Sequence, residues 1–344
     1  MTEGSYKPFT LKAAVELAAP PTWVAAIMPV LVGAAAALLL SGTDAIRWLG
    51  GPETLPLILR AGVVLVLMLL TSTLMQAAAN TINDYHDFLA GTDTADTVLD
   101  THDASIVYNS INPRSALRFG IALLACAALC GLAVVALSGW PLLVAGLIAA
   151  AVLVFYGAGP LPLSYLPLGE ALSGIVMGGF ITGATYYALT LSFTPLALIA
   201  AVPPIITIAL IMQVNNTCDI ERDIKAGRRT LPVILGRARS VTVMRVLAWA
   251  TPAWMVLMLG LAAILLWGSL LLLFVDAIVA GCVYFLLRSR LDRIAAGPYD
   301  LVNRGAMMGN ITAFCRLANL AWMGALLLCW LLIQLMLGGL IGAV

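Results

Sequence analysis

Apolar residues run along this chain in long unbroken blocks, and polar residues collect between the blocks. Nine blocks approach or exceed the roughly 20 residues that a helix needs to cross a bilayer. They cover roughly 18–41, 60–82, 117–138, 141–157, 169–190, 195–216, 242–267, 269–288 and 312–340. Within them apolar residues are continuous and do not alternate with polar ones, which excludes a β-barrel. A helix satisfies its own backbone in lipid, so the pattern predicts an all-α, multi-span transmembrane bundle of about nine helices. Only Ser138-Gly139-Trp140-Pro141 separates the third block from the fourth, which predicts a tight turn between antiparallel spans.

Composition agrees. Of 344 residues, 62% are hydrophobic and 10% are charged, where an ordinary domain carries about 25% charge. The mean hydropathy is +1.02. These values exclude a soluble domain, a disordered chain and a disulfide scaffold, and they make the lipid bilayer the expected surrounding. A net charge of +1 leaves no basic surplus for a nucleic-acid partner. The first block is too long for a signal-peptide core and follows a mixed charged tail, so it is expected to remain as a span. The six cysteines lie in or beside apolar blocks without a zinc-type pair, and are expected to be reduced packing residues.

The few charges set the orientation. With the N-terminus inside, 16 of the 18 Lys and Arg fall on the cytoplasmic side, and only Arg47 and Arg60 fall on the other. Such a positive-inside bias predicts a bacterial-type cytoplasmic membrane, a cytoplasmic N-terminus, and a central cavity opening to the cytoplasm. Arg114, Arg118, Arg288, Arg290 and Arg293 are read as topology determinants.

Two acidic stretches stand at cytoplasmic span ends. One carries Asn80, Asn83, Asp84 and Asp87; the other carries Asn215, Asn216, Asp219 and Asp223. Helical spacing puts Asn80, Asn83, Asp84 and Asp87 on one face, and Asn215 or Asn216 with Asp219 and Asp223 on another. A shift of 136 residues superimposes Asn80 on Asn216, Asn83 on Asp219, Asp87 on Asp223 and Ala90-Gly91 on Ala226-Gly227. The chain therefore reads as one membrane domain over 1–344, made of two pseudo-related parts, roughly 18–160 and 169–340, that share a central site. Facing carboxylates repel without a cation. Hard oxygen donors suit Mg²⁺, which is commonly held by one or two carboxylates and substrate phosphates. Lys225, Arg228 and Arg229 follow directly, and arginine binds phosphate bidentately. Acids, metal and arginines together predict a diphosphate site.

At these residues the chain resembles the UbiA superfamily of intramembrane aromatic prenyltransferases. Asn83-Asp84-Tyr85-His86-Asp87 is similar to its first motif and Asp219-Ile220-Glu221-Arg222-Asp223 to its second. Within the superfamily, the first motif through Phe88, Gly91 and Asp93 is most like the 1,4-dihydroxy-2-naphthoate polyprenyltransferases. Further similar stretches are Tyr156–Leu163 with Leu168-Gly169-Glu170, Thr185-Tyr186-Tyr187, and Asn215-Asn216 leading to Gly227-Arg228-Arg229-Thr230-Leu231. Cys218 and Ala19 stand where arginine is usual. The resemblance implies Mg²⁺ held by Asp84, Asp87, Asp219 and Asp223, which are also the catalytic acids, with Asn80 and Asn83 helping. Asp93 serves as a displaced third acid. The implied substrates are a polyprenyl diphosphate and 1,4-dihydroxy-2-naphthoate, with loss of CO₂, as in menaquinone biosynthesis. Tyr156, Glu170, Tyr186, Tyr187, Lys225, Arg228 and Arg229 are implied on the substrate side.

Alternatives stay open for some residues. Glu170 also suits a helix N-cap region, and Tyr186 and Tyr187 also suit interfacial anchors. His86 lies on a different face from Asp84 and Asp87. Asp96, Asp100, His102 and Asp103 read as solvated loop. Asp276 lies within a span, or near its outer end, and Asn310 and Arg316 begin the last one. Two other readings of the whole chain remain: a relative that uses 4-hydroxybenzoate, and a cation-coupled transporter.

Overall fold

The computed structural model describes residues 6–40, 54–91, 104–157, 162–265 and 270–341. Asp93, Asp96, Asp100, His102, Asp103 and Arg47 lie outside the described residues, as do 158–161 of the Tyr156–Leu163 stretch. We number the principal helices in chain order, leaving unnumbered the short turns Pro20–Trp23, Ser105–Tyr108 and Leu163–Tyr165. They are α1 (Leu11–Ala18), α2 (Val24–Leu40), α3 (Thr54–Ala90), α4 (Pro113–Ser138), α5 (Pro141–Gly157), α6 (Gly169–Thr190), α7 (Pro195–Cys218), α8 (Ile220–Lys225), α9 (Leu231–Leu235), α10 (Arg237–Leu265), α11 (Leu270–Ala296) and α12 (Arg304–Ile341). Among the described residues there is no β-strand, only an isolated bridge between Lys7 and Ile111. The architecture is all-α, as hydropathy demands.

Seven of these helical stretches are long and apolar enough to span a membrane, with the shorter apolar α5 beside them. They match the expected spans, and α11 covers the expected eighth. Polar punctuation sets the boundaries. Asn112 caps α4, its Oδ1 accepting from the Arg114 amide at 2.9 Å, with Pro113 in the first turn. Gly139 ends α4 at φ +98°, a conformation open to glycine, and Pro141 then starts α5. This is the predicted tight turn.

The interior forms where α2, α7, α10, α11 and α12 meet, around Phe314, Leu210, Met244 and Leu287. Large apolar side chains such as Leu129, Phe285 and Trp140 instead point outward. That arrangement suits a lipid surround, where outward apolar groups carry no penalty. Helix contacts inside the bundle rely on small residues. A Cβ on Gly178 would stand 2.5 Å from the Ile205 nitrogen, and one on Gly33 would stand 2.6 Å from the Thr182 oxygen. The α6–α7 and α2–α6 crossings are therefore backbone to backbone. Between Gly174 and Phe180, α6 widens into a π-helical segment. A buried polar tie also joins α7 to α12: Asn319 donates to the Thr207 hydroxyl at 2.8 Å.

The two ends of the bundle differ. At one end Arg60 of α3 donates to the Leu137 carbonyl and the Ser138 hydroxyl of α4, and to the Ala188 and Leu189 carbonyls of α6, at 3.0–3.4 Å. It satisfies the open carbonyl ends of two helices at once. Asp87 lies 27 residues further along α3, about 40 Å away by helical rise, at the other end. All six cysteines are free; Cys218 and Cys315 are buried, while Cys126 and Cys282 are exposed.

Candidate active site

The acid-bearing end is built from helix termini. The first motif does not leave its helix: α3 continues through Asn83, Asp84 and Asp87 to Ala90. All three side chains are half-buried. Gly91 then stops the helix at φ +69°. The second motif straddles a junction. α7 ends at Cys218, Asp219 is the joint, and α8 carries Asp223. The Asp223 amide still reaches the Asp219 carbonyl at 2.8 Å, so the two acids keep helical spacing.

Gly227 ends α8 at φ +71°, matching Gly91. The Gly227 amide reaches the Ile224 carbonyl at 3.1 Å, and the Arg228 amide reaches the Asp223 carbonyl at 2.8 Å. This pair of bonds is a Schellman motif, in which the residue after the glycine folds back over the last turn. Here that residue is Arg228, and it lands beside Asp223 with a nitrogen–oxygen distance of 3.7 Å. The other guanidinium nitrogen donates to Asp87 of α3 at 2.5 Å. One cation thus joins two motif acids from distant parts of the chain. Below it lies the Tyr165 ring, its centroid 5.3 Å from the guanidinium carbon. The Tyr165 carbonyl accepts from the Arg229 amide at 2.9 Å.

Burial shifts the balance of charge. It raises the Asp223 carboxyl above the ordinary aspartate value, against the pull of Arg228 and of the Thr230 hydroxyl, which donates to Asp223 Oδ2 at 3.0 Å. Burial likewise opposes the charge of Arg228, but Asp87 and Asp223 outweigh it and hold the guanidinium protonated above its usual value.

Asp219 has a partner that the sequence did not reveal. Arg304, the first residue of α12, donates through Nε to Asp219 Oδ2 at 3.1 Å and through Nη2 to Asn215 Oδ1 at 2.6 Å. Its only sequence signal was membership of a basic loop. Asp300 sets the loop before it, accepting from the Asn303 amide at 2.8 Å.

Other expected residues fall in different places. Asn80 faces the start of the chain, donating to Thr22 at 2.8 Å and the Ala18 carbonyl at 3.1 Å while accepting from Gln76 at 3.0 Å. Lys225 and Arg229 are exposed, so of the three basic candidates the structure brings Arg228 alone onto the acids. His86 sits against Tyr85, ring centroids 5.6 Å apart. Tyr186 is buried in the core and Tyr187 packs with Val64 and Leu142; both belong to the Arg60 end of the bundle, away from the acids. Asn310 accepts from Arg290 at 3.2 Å, while Arg316 is exposed. Asp276 faces α10, where a Cβ on Gly260 would come 3.1 Å from its Oδ2.

Glu170 is 5% exposed in the first turn of α6. Its Oε1 accepts from Asn216 of α7 at 2.8 Å. The backbone amides of Glu170 and Leu231 also face the carboxylate. Nearby, the Tyr156 hydroxyl lies 3.3 Å from where a Gly169 Cβ would stand, and its hydrogen bond is to the Met212 sulfur at 3.4 Å.

Among the described residues no three carboxylate, imidazole or thiol groups converge as a ready metal cage. A hard cation completed by substrate phosphates needs only one or two carboxylates. Asp87 and Asp223 already share one cation, Arg228, so positive charge is accepted between them and the donor set fits Mg²⁺.

Comparison with known proteins identifies the family and the fold. Residues 26–299 match the UbiA prenyltransferase family. The chain is 31% identical over 229 residues to the 1,4-dihydroxy-2-naphthoate octaprenyltransferase of Bacillus subtilis, covering 67% of this chain and 68% of that protein. It is 25% identical over 297 residues to the Escherichia coli enzyme of the same name, covering 84% and 92%. Among solved structures, a UbiA homolog from Archaeoglobus fulgidus bound to DMAPP and Mg²⁺ aligns over 90% of this chain and 99% of that one, with TM-score 0.50 and 19% identity. The apo UbiA homolog from Aeropyrum pernix aligns over 88% and 96%, with TM-score 0.56 and 16% identity. At such identities the structural likeness concerns the fold. The family match spans most of the bundle, from α2 through the acid-bearing end to the loop before α12, and on that ground the chain belongs to the UbiA prenyltransferase family: it is an integral membrane enzyme that transfers prenyl groups.

Proposed function

We propose that the protein transfers a polyprenyl group from a polyprenyl diphosphate to 1,4-dihydroxy-2-naphthoate, with loss of CO₂, as a step of menaquinone biosynthesis. The observation that carries the diphosphate half is the guanidinium of Arg228 held between Asp87 and Asp223. The acceptor half is supported by the relatives, whose shared name specifies the naphthoate.

In this reading the diphosphate docks where the two motifs meet, on the side that faces the cytoplasm. Asp87 and Asp223, with Asp84 and Asp219, would hold Mg²⁺ there. When bound, the metal supplies Lewis-acid neutralisation of the diphosphate's growing negative charge. Arg228, on exchanging Asp87 and Asp223 for the substrate, presents its fork to the leaving oxygens, an interaction that strengthens as charge builds on them. The bundle interior keeps water from the allylic carbon as its bond to oxygen breaks. The carboxyl-bearing carbon of the ring attacks that carbon. The C–O electron pair leaves with diphosphate, and CO₂ departs as the ring regains aromaticity.

The test is diphosphate release by purified protein in detergent with a polyprenyl diphosphate, Mg²⁺ and either 1,4-dihydroxy-2-naphthoate or 4-hydroxybenzoate, each with an EDTA control. The expected result is release that requires Mg²⁺ and the naphthoate and yields a prenylated, decarboxylated product, with Asp87→Asn inactive but folded. Release with 4-hydroxybenzoate alone would replace the acceptor and keep the chemistry. Full activity of Asp87→Asn would remove the metal–diphosphate assignment.

A further inference from the structure

The mechanism above makes no use of Glu170, yet burying that carboxylate is costly. It is 5% exposed, inside a helical bundle, and one of its two oxygens is spoken for. Asn216 takes Oε1, whereas Oε2 is buried and no side-chain donor reaches it among the described residues, only the Glu170 and Leu231 backbone amides facing the carboxylate. Beside it the Tyr156 hydroxyl spends its proton on a thioether, a weak acceptor. Two polar groups with unspent capacity therefore meet where the start of α6 crosses α7. Asn216 links that place to the acids, being one helical turn before Asp219 and neighbour to Asn215, which Arg304 ties to Asp219.

The geometry points to Glu170 as the hydrogen-bond acceptor for the ring hydroxyl next to the attacked carbon of the aromatic substrate, with Asn216 fixing the carboxylate's orientation. The inference rests on the proposed reaction. It goes further by naming which group of the acceptor is read and by which atom. Ionised, Oε2 can take only a donor, so it selects an acceptor carrying a free O–H and rejects one in which that oxygen is alkylated.

The same contact balances the chemistry. As the ring carbon forms its bond to the allylic carbon, the neighbouring hydroxyl becomes a carbonyl and its proton passes to Oε2. The product of that step is a β-keto acid. Loss of CO₂ sends the freed electron pair back to the carbonyl oxygen, which retrieves the proton. Glu170 ends as it began, and no outside acid or oxidant is consumed.

Glu170→Gln is the discriminating variant. It retains shape and can retain the Asn216 bond, but turns the free acceptor position into an N–H donor. With 1,4-dihydroxy-2-naphthoate, the expected result is an acceptor KM raised about tenfold or more, as for losing a hydrogen bond to a charged group, and a lowered kcat because the amide cannot take the proton, with donor KM unchanged. Wild type should discriminate about tenfold or more against the monomethyl ether of the hydroxyl beside the carboxyl group, and Glu170→Gln should lose most of that discrimination. An acceptor KM and ether discrimination like wild type's would overturn the assignment. Should the variant fail to fold, wild type decides alone, since equal use of the ether and the parent compound would also overturn it. A wild type that releases no diphosphate with any acceptor would sink the proposed reaction itself, and this inference with it.

Discussion

Arg228 shows how much a single residue's setting matters here. Arg229 carries the same group, one residue on, and points to solvent. The difference is the Schellman turn at Gly227, which aims position 228 back at Asp223 and leaves 229 outside. Asp223 is the matching acid, and its raised pKa has a consequence for stability. A carboxyl whose folded pKa exceeds its unfolded value binds more protons when folded, so its contribution declines as pH rises from the ordinary value, about 4, through the raised one. Asp223→Asn should remove that decline, checked by melting curves of metal-free protein across that pH interval, while abolishing turnover. An identical pH profile for the two proteins would mean that Asp223 is not destabilised by burial. Arg304→Ala should also lower activity, about tenfold or more, through loss of a charged hydrogen-bond partner to Asp219, and Arg304→Lys should recover part of it. A wild-type rate in Arg304→Ala would show that Asp219 needs no such support.

Among the elements, helix ends do most of the site-building, and the two ends of the bundle can be separated by experiment. Gly227→Ala places a side chain at φ +71°, a strain of about 1–2 kcal/mol, and tilts Arg228 off both acids. The expected outcome is a raised donor KM with only a small fall in melting temperature; an unchanged donor KM would detach the turn from substrate binding. Arg60→Ala at the opposite end strips the carbonyl ends of α4 and α6 of their donor. It should lower thermal stability in detergent, by about 1–2 kcal/mol, and leave donor KM alone. Here sequence and structure can be weighed directly. The apolar spans were legible, though not their polar extensions, because hydrocarbon imposes a length and a composition on every helix that crosses it. Less legible was the kind of helix: the π-helical widening of α6 lies where Gly174 and Gly178 let α7 approach, a contact between distant segments. The motif asparagines illustrate the same limit. They share spacing with the acids, yet Asn80 serves the α1–α2 connection and Asn216 serves Glu170.

For the whole molecule, the acids, Arg228 and Arg304 gather at one end, and Arg60 closes the other. Charge bias predicts that the acid-bearing end faces the cytoplasm. Lys225 is exposed at that end. A membrane-impermeant maleimide should therefore label Lys225→Cys in inverted vesicles and not in right-side-out ones, above the background of the native cysteines. The opposite pattern would invert the topology.

The all-helical bundle, its spans and the presence of two acidic helix ends followed from the sequence alone, because hydropathy and helical spacing are local properties that lipid enforces. The choice of partners did not. Arg304 stands 85 residues from Asp219, and Arg228 stands 141 from Asp87. Which cation meets which acid depends on helix crossings set by glycine contacts and on a left-handed turn, and those exist only once the chain has packed.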